Sequence, residues 1–161
     1  MQKKFSFRDK GIKGNIQALA FSPSGKIIGI VDMSDDHNIA LYDAETGKPI
    51  LESKGDRAVV LDIAFQNDET FVTAGVKHFK QYVLNGGKPK TNLGNFNGLD
   101  QRIGSCEFNG NDCLTGSING DLYLWSGTSA ANKVPKLHTR MIDAITITDK
   151  LIFTGARDCI I

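Results

Sequence analysis

Thr115-Gly-Ser-Ile-Asn-Gly-Asp-Leu-Tyr-Leu-Trp-Ser-Gly127 has the pattern of two short β-strands joined by a tight turn. The turn is Asn119-Gly120, a pair typical of the two-residue type I′ hairpin turn, in which both central residues have positive φ. After the turn, leucines alternate with Tyr123 and Trp125, and this period of two is that of a β-strand. We therefore predict a β-hairpin from Thr115 to Trp125.

Weaker copies of this pattern recur along the chain. Four opening strands end on residues that are spaced 44, 43 and 39 apart, namely Phe21, Phe65, Phe108 and Ile147. A polar turn and a second strand follow each of them, over 27–31, 71–75, 113–117 and 151–155. In the first three copies a third strand ends near an aromatic residue, at Tyr42, Tyr82 and Trp125. A weak fourth strand follows near 50–53, 91–93 and 134–137.

Four strands in every 40 to 45 residues, with an aromatic residue near the end of the third, are typical of a β-propeller blade. An antiparallel sandwich is the alternative, but sandwiches lack this self-similarity. We therefore predict an all-β chain of about three and a half to four four-stranded antiparallel blades. Residues 1–14 are expected to form the outer strand of a preceding blade, 15–54, 55–98 and 99–137 the blades, and 138–161 an incomplete blade.

A propeller closes by pairing strands from both ends of the chain, which removes exposed sheet edges. Three and a half blades cannot form an ordinary seven-blade ring, so we expect either a fragment of a larger propeller or a ring completed by a second copy. In the homodimer, residues 3–8 of one copy would pair with the 142–161 blade of the other, because uncapped repeat ends expose apolar faces.

The composition is that of an ordinary globular domain, with 161 residues, 40% hydrophobic residues and a formal net charge of +1. The near-neutral charge argues against nucleic-acid binding, and the absence of an 18-residue apolar run argues against a membrane span. No apolar secretory signal precedes the repeats. Cys106, Cys113 and Cys159 lack metal-ligand spacing and predict free thiols in a reducing, cytoplasmic compartment.

No catalytic, metal-binding or cofactor-binding pattern stands out, so the chain is not expected to be an enzyme or to need a cofactor. The three histidines fall in different repeats, and His78 is expected to be exposed on a turn. Asp32-Met-Ser-Asp-Asp36 lacks the spaced ligands of a calcium loop and is expected to be a solvated turn. Neither a phosphate-binding Gly-x4-Gly-Lys loop nor a Gly-x-Ser-x-Gly elbow is present.

The repeats resemble those of the WD40 family. In that family a His before the first strand, a Ser or Thr on the second, an Asp in the next turn and a Trp on the third strand are hydrogen-bonded together. The resemblance implies these structural roles for Ser117 (or Thr115), Asn119 and Trp125 in the third repeat, and for His138, Thr154 and Asp158 in the fourth. The third repeat departs from the pattern, with Leu99 at the His position and Ser126 after Trp125.

Two phrases, Gly75-Val-Lys-His-Phe-Lys80 and the hairpin from Thr115 to Gly127, resemble the echinoderm microtubule-associated protein-like (EMAP-like) family of WD proteins. Gln81 departs from that family, which usually has an aromatic residue there. The resemblance implies a non-enzymatic interaction platform that binds tubulin or other cytoskeletal proteins in the cytoplasm. The alternatives are a general WD40 scaffold that recognises peptides in an unrelated complex, and a propeller enzyme, for which no acid–base pair or nucleophile is found.

Basic residues cluster in two segments that contain no acid, 77–90 and 127–142. Basic loops would steer an acidic partner, such as the microtubule surface, in a salt-dependent way. The alternative is that these side chains only keep the surface soluble. The candidate partner-binding residues are Lys77, Lys80, Lys88, Lys90, Lys133, Lys136 and Arg140.

Overall fold

The computed structural model describes residues 11–161, which form fourteen β-strands. These are β1 (Ile16–Phe21), β2 (Ile27–Asp32), β3 (Ile39–Asp43), β4 (Pro49–Ser53), β5 (Val60–Phe65), β6 (Thr70–Gly75), β7 (His78–Val83), β8 (Lys90–Leu93), β9 (Ile103–Asn109), β10 (Asp112–Ser117), β11 (Leu122–Ser126), β12 (Ser129–Val134), β13 (Ile142–Ile147) and β14 (Ile152–Ala156). Within this range there is no helix of the length and apolarity that a membrane crossing requires.

The strands form three four-stranded antiparallel sheets, β1–β4, β5–β8 and β9–β12, and a two-stranded sheet, β13–β14. The predicted all-β fold of propeller blades is therefore confirmed. The proposed division at 15–54, 55–98, 99–137 and 138–161 keeps each sheet within one segment. The segment assigned to a preceding blade, including its residues 3–8, lies outside the described residues except for its last four positions.

The fourth strand of the third sheet begins earlier than the sequence pattern predicts. β12 starts at Ser129, directly after a short turn at Gly127 and Thr128, and ends at Val134, where the predicted strand begins. Gly127 has a φ of 59°, a left-handed conformation that glycine adopts without strain, so the chain reverses as soon as β11 ends. The prediction was displaced because the polar sequence of β12 carries no hydrophobic alternation.

The predicted hairpin is present, but its turn differs from the predicted type. Residues 118–121 join β10 to β11, and within them positive φ occurs at Gly120 and not at Asn119. The Ser117 side chain accepts a hydrogen bond from the Asn119 backbone N–H, and Asn119 Nδ2 donates to Asp100 at 2.7 Å. These two contacts organise a longer turn, so the two-residue type I′ prediction was wrong.

Hydrophobic cores lie between neighbouring sheets. Between the first and second sheets, Phe71 stacks on Tyr82 with ring centroids 4.6 Å apart, within a cluster that includes the side chains of β2 and β3. Between the second and third, Phe79 stacks on Trp125 at 3.8 Å, and Phe96 meets the same indole edge-on. Each sheet therefore buries its apolar residues against the next sheet, as the blades of a propeller do.

The first strands of adjacent sheets are also joined directly. A carboxylate oxygen of Asp62 on β5 accepts a hydrogen bond from the Cys106 N–H of β9 at 2.8 Å. Ser105 Oγ on β9 in turn donates to the Ile142 carbonyl of β13 at 3.0 Å. Burial raises the pKa of Asp62 to about 6, although the N–H groups of Cys106 and Ile63 act in the opposite direction.

The up-and-down strand order places the loops at two opposite ends of the sheets. The connection face carries the three links between sheets (54–59, 94–102 and 135–141), the turns at 33–38, 76–77 and 118–121, and residues 157–161. The opposite face carries the remaining turns. On the connection face, turns bond to links, as in Val76 N–H to the Val59 carbonyl at 2.8 Å and Ile118 N–H to the Arg102 carbonyl at 2.9 Å.

Candidate interaction surface

The fourth sheet brings together the three residues that the WD40 resemblance assigns to it. His138 Nε2 lies 2.8 Å from Thr154 Oγ1, and His138 Nδ1 lies 3.2 Å from Asp158. Asp158 also accepts hydrogen bonds from the backbone N–H groups of Thr139 and Ile160. The Thr139 bond is the largest of the effects that hold the pKa of Asp158 below its ordinary value. The link 135–141 is therefore tied to the end of β14 by side chains.

In the third sheet the assigned residues are not all connected. Trp125 Nε1 donates to Thr115 Oγ1 at 2.8 Å, so Thr115 and not Ser117 is the hydrogen-bond partner of the indole. Ser117 and Asn119 instead organise the turn between β10 and β11. Asp100 accepts the hydrogen bond from Asn119 Nδ2 and forms an ion pair with Arg102 at 2.6 Å. An aspartate next to Leu99 thus ties the link to the turn where the family has histidine.

The second sheet contains an equivalent network that the sequence interpretation missed. His78 Nε2 lies 2.7 Å from Thr73 Oγ1, and His78 Nδ1 lies 3.4 Å from Asp56 Oδ2. In both sheets the histidine bonds the threonine through Nε2 and faces the aspartate through Nδ1. Compared with the fourth sheet, the histidine and the aspartate have exchanged places, because here the aspartate is on the link and the histidine follows the turn. The sequence signal for this network was a threonine on the second strand of the sheet, Thr73, with an aspartate before it and a histidine after it in the chain.

His78 is buried, so the prediction of an exposed turn histidine was wrong. The two-residue turn at Val76 and Lys77 places His78 at the first position of β7, facing inward towards Thr73. Burial lowers the pKa of His78 to about 4, while the Asp56 carboxylate acts in the opposite direction. The histidine is therefore neutral near pH 7.

The Asp56–His78–Thr73 sequence of contacts has the connectivity of an acid–base–nucleophile triad. Thr73 is fully buried, however, and no substrate atom can reach its hydroxyl. Burial also raises the pKa of the adjacent Tyr82 to about 12. The network is therefore a structural tie between link and sheet, equivalent to that of His138.

In the first sheet the network is centred on Asp32, which is buried, whereas Met33 and Asp35 in the expected solvated turn are exposed. Its carboxylate accepts hydrogen bonds from the backbone N–H groups of Lys13 at 2.7 Å and Asn38 at 2.8 Å, and from Ser34 Oγ at 2.6 Å. Burial alone would raise the pKa of Asp32, but these hydrogen bonds together hold it well below its usual range. With its oxygens occupied by donors, Asp32 organises the turn.

The candidate basic residues lie on both ends of the sheets. Lys77, Lys136 and Arg140 are exposed on the connection face, whereas Lys88, before β8, and Lys90, its first residue, are exposed at the opposite face. The other two lie on strands and are already engaged. Lys133 pairs with Asp121 at 3.3 Å, and Lys80 lies 3.8 Å from Asp56 and over the ring of Tyr82. The seven residues therefore do not form one surface.

A cavity of about 280 Å³ opens on the connection face between the second sheet and the link 94–102. Asp56 and His78 line its inner part, and Lys77 and Leu93 lie at its rim. Its lining is mainly polar. Residues 11–161 contain no group of three or more His, Cys, Asp or Glu side chains positioned to hold a metal ion.

Comparison with curated proteins finds WD-repeat relatives, whereas no family model matches the chain. The 77 kDa echinoderm microtubule-associated protein of Lytechinus variegatus is 34% identical over 106 residues, which are 63% of this chain and 16% of that protein. The ciliary WD repeat-containing protein ctxp80 of Euplotoides octocarinatus is 24% identical over 93% of this chain and 22% of its own length. Echinoderm microtubule-associated protein-like 2 of Rattus norvegicus is 29% identical over 87% of this chain and 23% of its own. The chain thus spans less than a quarter of these relatives.

Solved structures show the same fold. The β-propeller domain of Myceliophteria thermophila Cps50 (Swd1) superposes with a TM-score of 0.74 at 15% identity, over 89% of this chain and 51% of that one. The computationally designed Ika4 protein superposes with a TM-score of 0.70 at 20% identity, over 96% of both chains. The sheets, their order and the superpositions identify the chain as an array of β-propeller blades, and its sequence is similar to WD-repeat proteins that include the echinoderm microtubule-associated proteins.

Proposed function

We propose that the chain is a non-enzymatic protein-interaction scaffold of the cytoplasm and cytoskeleton, with tubulin as a partner. The observation that supports it is the connection face, where side-chain networks fix the links between rigid sheets and leave cations exposed. Loops held on a rigid scaffold are the usual carriers of binding in such folds. The names of two relatives, microtubule-associated proteins, supply the choice of tubulin.

Co-sedimentation with microtubules polymerised from purified tubulin tests this proposal. The chain is expected to pellet with microtubules at low ionic strength, and the bound fraction is expected to fall as salt is raised, because exposed charges are screened. The chain spun without microtubules is the control. Failure to pellet at low salt would favour the alternative, a WD40 scaffold that recognises peptides in an unrelated complex.

A second candidate is self-association of the 161-residue chain when it is a separate molecule. Leu19 and Phe21 on β1 are 54% and 56% exposed, whereas Ile63 and Phe65, at the same positions of β5, are 2% and 3% exposed against the first sheet. Phe153 on β14 is exposed at the other end of the array. Such faces would bury one another in a head-to-tail homodimer, and this chain matches only 51% of the Cps50 domain.

The solution mass, measured by light scattering over a concentration series, is expected to be twice that of the chain. Phe21→Asp is expected to shift the mass to that of a monomer, because a charge cannot be buried against an apolar face. Leu93→Asp is the matched control, since Leu93 is 73% exposed away from both end faces. A monomer at all concentrations, or equal effects of the two replacements, would exclude this association.

A further inference from the structure

On the connection face, most carboxylates already have partners. Each of four aspartates pairs with a cation of its own sheet or link, in Asp36–Lys54 at 2.7 Å, Asp100–Arg102 at 2.6 Å, Asp121–Lys133 at 3.3 Å and Asp143–Arg157 at 2.9 Å. Asp56 and Asp158 face histidines. Asp35, in the turn of the first sheet, remains without an ion pair among the described residues. Most carboxylates of this face therefore already contact a cation or a histidine of the chain itself.

Four exposed cations on the links and turns of this face form no ion pair with a carboxylate within residues 11–161, although Arg57 contributes to lowering the pKa of Asp36. Arg57 lies on the link 54–59, Lys77 on the turn between β6 and β7, and Lys136 and Arg140 on the link 135–141. The described residues that do form ion pairs do not include any of the four. Among the exposed charges of these links and turns that form no ion pair, the four cations outnumber the carboxylates, of which Asp35 is one.

Two of these cations project from backbone that is fixed. Lys77 has a φ of 56°, and its N–H donates to the Gln101 carbonyl at 2.6 Å. Lys136 has a φ of 53°, and its N–H donates to Asp121 Oδ1 at 2.8 Å. A left-handed backbone is unfavourable for lysine, and it is kept here by these bonds to neighbouring loops. The starting points of both side chains are therefore set before any partner arrives.

Exposed apolar side chains stand beside the cations. Val59 follows Arg57 on its link, Leu137 follows Lys136, and Leu93 shares the rim of the cavity with Lys77. A partner that complements this surface carries carboxylates with apolar side chains between them. The opposite face is less suitable, because carboxylates without ion pairs among the described residues, including Asp68, Glu69 and Asp112, lie there together with its lysines.

We propose that the connection face binds an extended acidic segment of a protein partner, with its carboxylates at Arg57, Lys77, Lys136 and Arg140. This inference rests on the proposed scaffold function and specifies which surface acts and what chemistry it recognises. Complementary charge of this kind accelerates association and fixes orientation more than it adds affinity. The binding is therefore expected to be weak to moderate and to depend on salt.

The test uses two double variants with the same change in net charge. Lys77→Glu with Lys136→Glu alters the connection face, and Lys88→Glu with Lys90→Glu alters the opposite face. The probe is a fluorescein-labelled peptide of repeated Glu-Glu-Leu-Glu units, with a Gln-Gln-Leu-Gln peptide as the uncharged control. In fluorescence anisotropy, the first variant is expected to weaken binding of the acidic peptide about tenfold or more, and the second by less than about twofold.

Circular dichroism melting shows whether each variant remains folded, and Lys77→Gln with Lys136→Gln gives a milder, neutral change with the same expected direction. Equal losses in the two Glu variants would overturn the inference, because binding would then follow net charge and not this face. Failure of the acidic peptide to bind the wild-type chain would also overturn it. Microtubule co-sedimentation in the same buffer is a separate readout, so a chain that pellets without binding the peptide retains the proposed function and loses this inference.

Discussion

Replacement of Trp125 by alanine is expected to lower the free energy of unfolding by about 3–5 kcal/mol, the usual cost of removing a large buried aromatic side chain. The indole is fully buried between the second and third sheets. Its removal leaves a cavity against Phe79, whose ring is 3.8 Å away, and against Phe96. Because folded domains of this size are stable by only about 5–15 kcal/mol, the loss is a large part of the total.

Urea unfolding followed by circular dichroism measures this change, since the variant lacks the single tryptophan and its fluorescence. Trp125→Phe is the matched control. It keeps an aromatic ring on Phe79 but removes the Nε1 donor to Thr115, and is expected to cost about 1 kcal/mol for the hydrogen bond together with a small packing loss. An alanine variant as stable as the wild-type chain would contradict the position of Trp125 between the sheets.

The repeat pattern predicts the fold correctly because each blade carries its own strand signals. Four opening strands and three aromatic third strands establish the architecture, and a wrong turn type at Asn119-Gly120 or a displaced β12 does not alter it. In a repeat protein each sheet packs only on its neighbours, so local errors of interpretation remain local.

The side-chain networks are less predictable, because several arrangements satisfy the same hydrogen bonds. Thr73 and Thr154 each bond a histidine, but the histidine lies on the link in one sheet and after the turn in the other. A pattern with histidine at a fixed position therefore misses His78. Both arrangements tie a link to a turn, which is the physical requirement.

The position of a charge along the chain also does not reveal its face. Lys77 and Lys88 belong to one basic segment of sequence, yet one strand, β7, separates them and places them at opposite ends of the sheet. Because the chain reverses after every strand, a cluster in sequence is divided between two surfaces. The basic segments could therefore be recognised in the sequence, but their division between the two faces could not.

His78 and Asp62 are expected to give the chain opposite dependences of stability on pH. The pKa of His78 is about 4 in the folded chain and 6.5 ordinarily, so the unfolded state binds its proton more tightly and stability is lost as the pH falls from 6.5 to 4. The pKa of Asp62 is about 6 against an ordinary 3.8, so its contribution is present at low pH and is lost as the pH rises through 6. Each effect amounts to about 3 kcal/mol at most, at 1.36 kcal/mol per pKa unit.

In the wild-type chain the effects of His78 and Asp62 largely cancel between pH 4 and 6, so together they are expected to change the free energy of unfolding little there. Asp62→Asn keeps an acceptor for the Cys106 N–H, and only the His78 effect then remains. The stability of this variant should therefore fall as the pH is lowered from 6.5 to 4. His78→Gln keeps an amide near Thr73, and only the Asp62 effect then remains. The stability of this variant should therefore rise as the pH is lowered from 6. Urea unfolding at closely spaced pH values above 4 measures both slopes and avoids the titration of Asp56, whose pKa is lowered.

The slopes, and not the absolute stabilities, test the burial of the two groups, because each replacement also changes local packing. The double variant should lack both of these slopes and keep only the pH dependence of other groups, such as Glu107, whose pKa is raised by burial. Nearby charges act on each group, Asp56, Lys80 and His37 on His78 and Glu107 on Asp62, but burial is the largest cause in both cases. Parallel pH profiles of the two single variants would mean that His78 and the Asp62 carboxylate are both open to water. The ties between the links and the sheets would then need to be assigned to other residues.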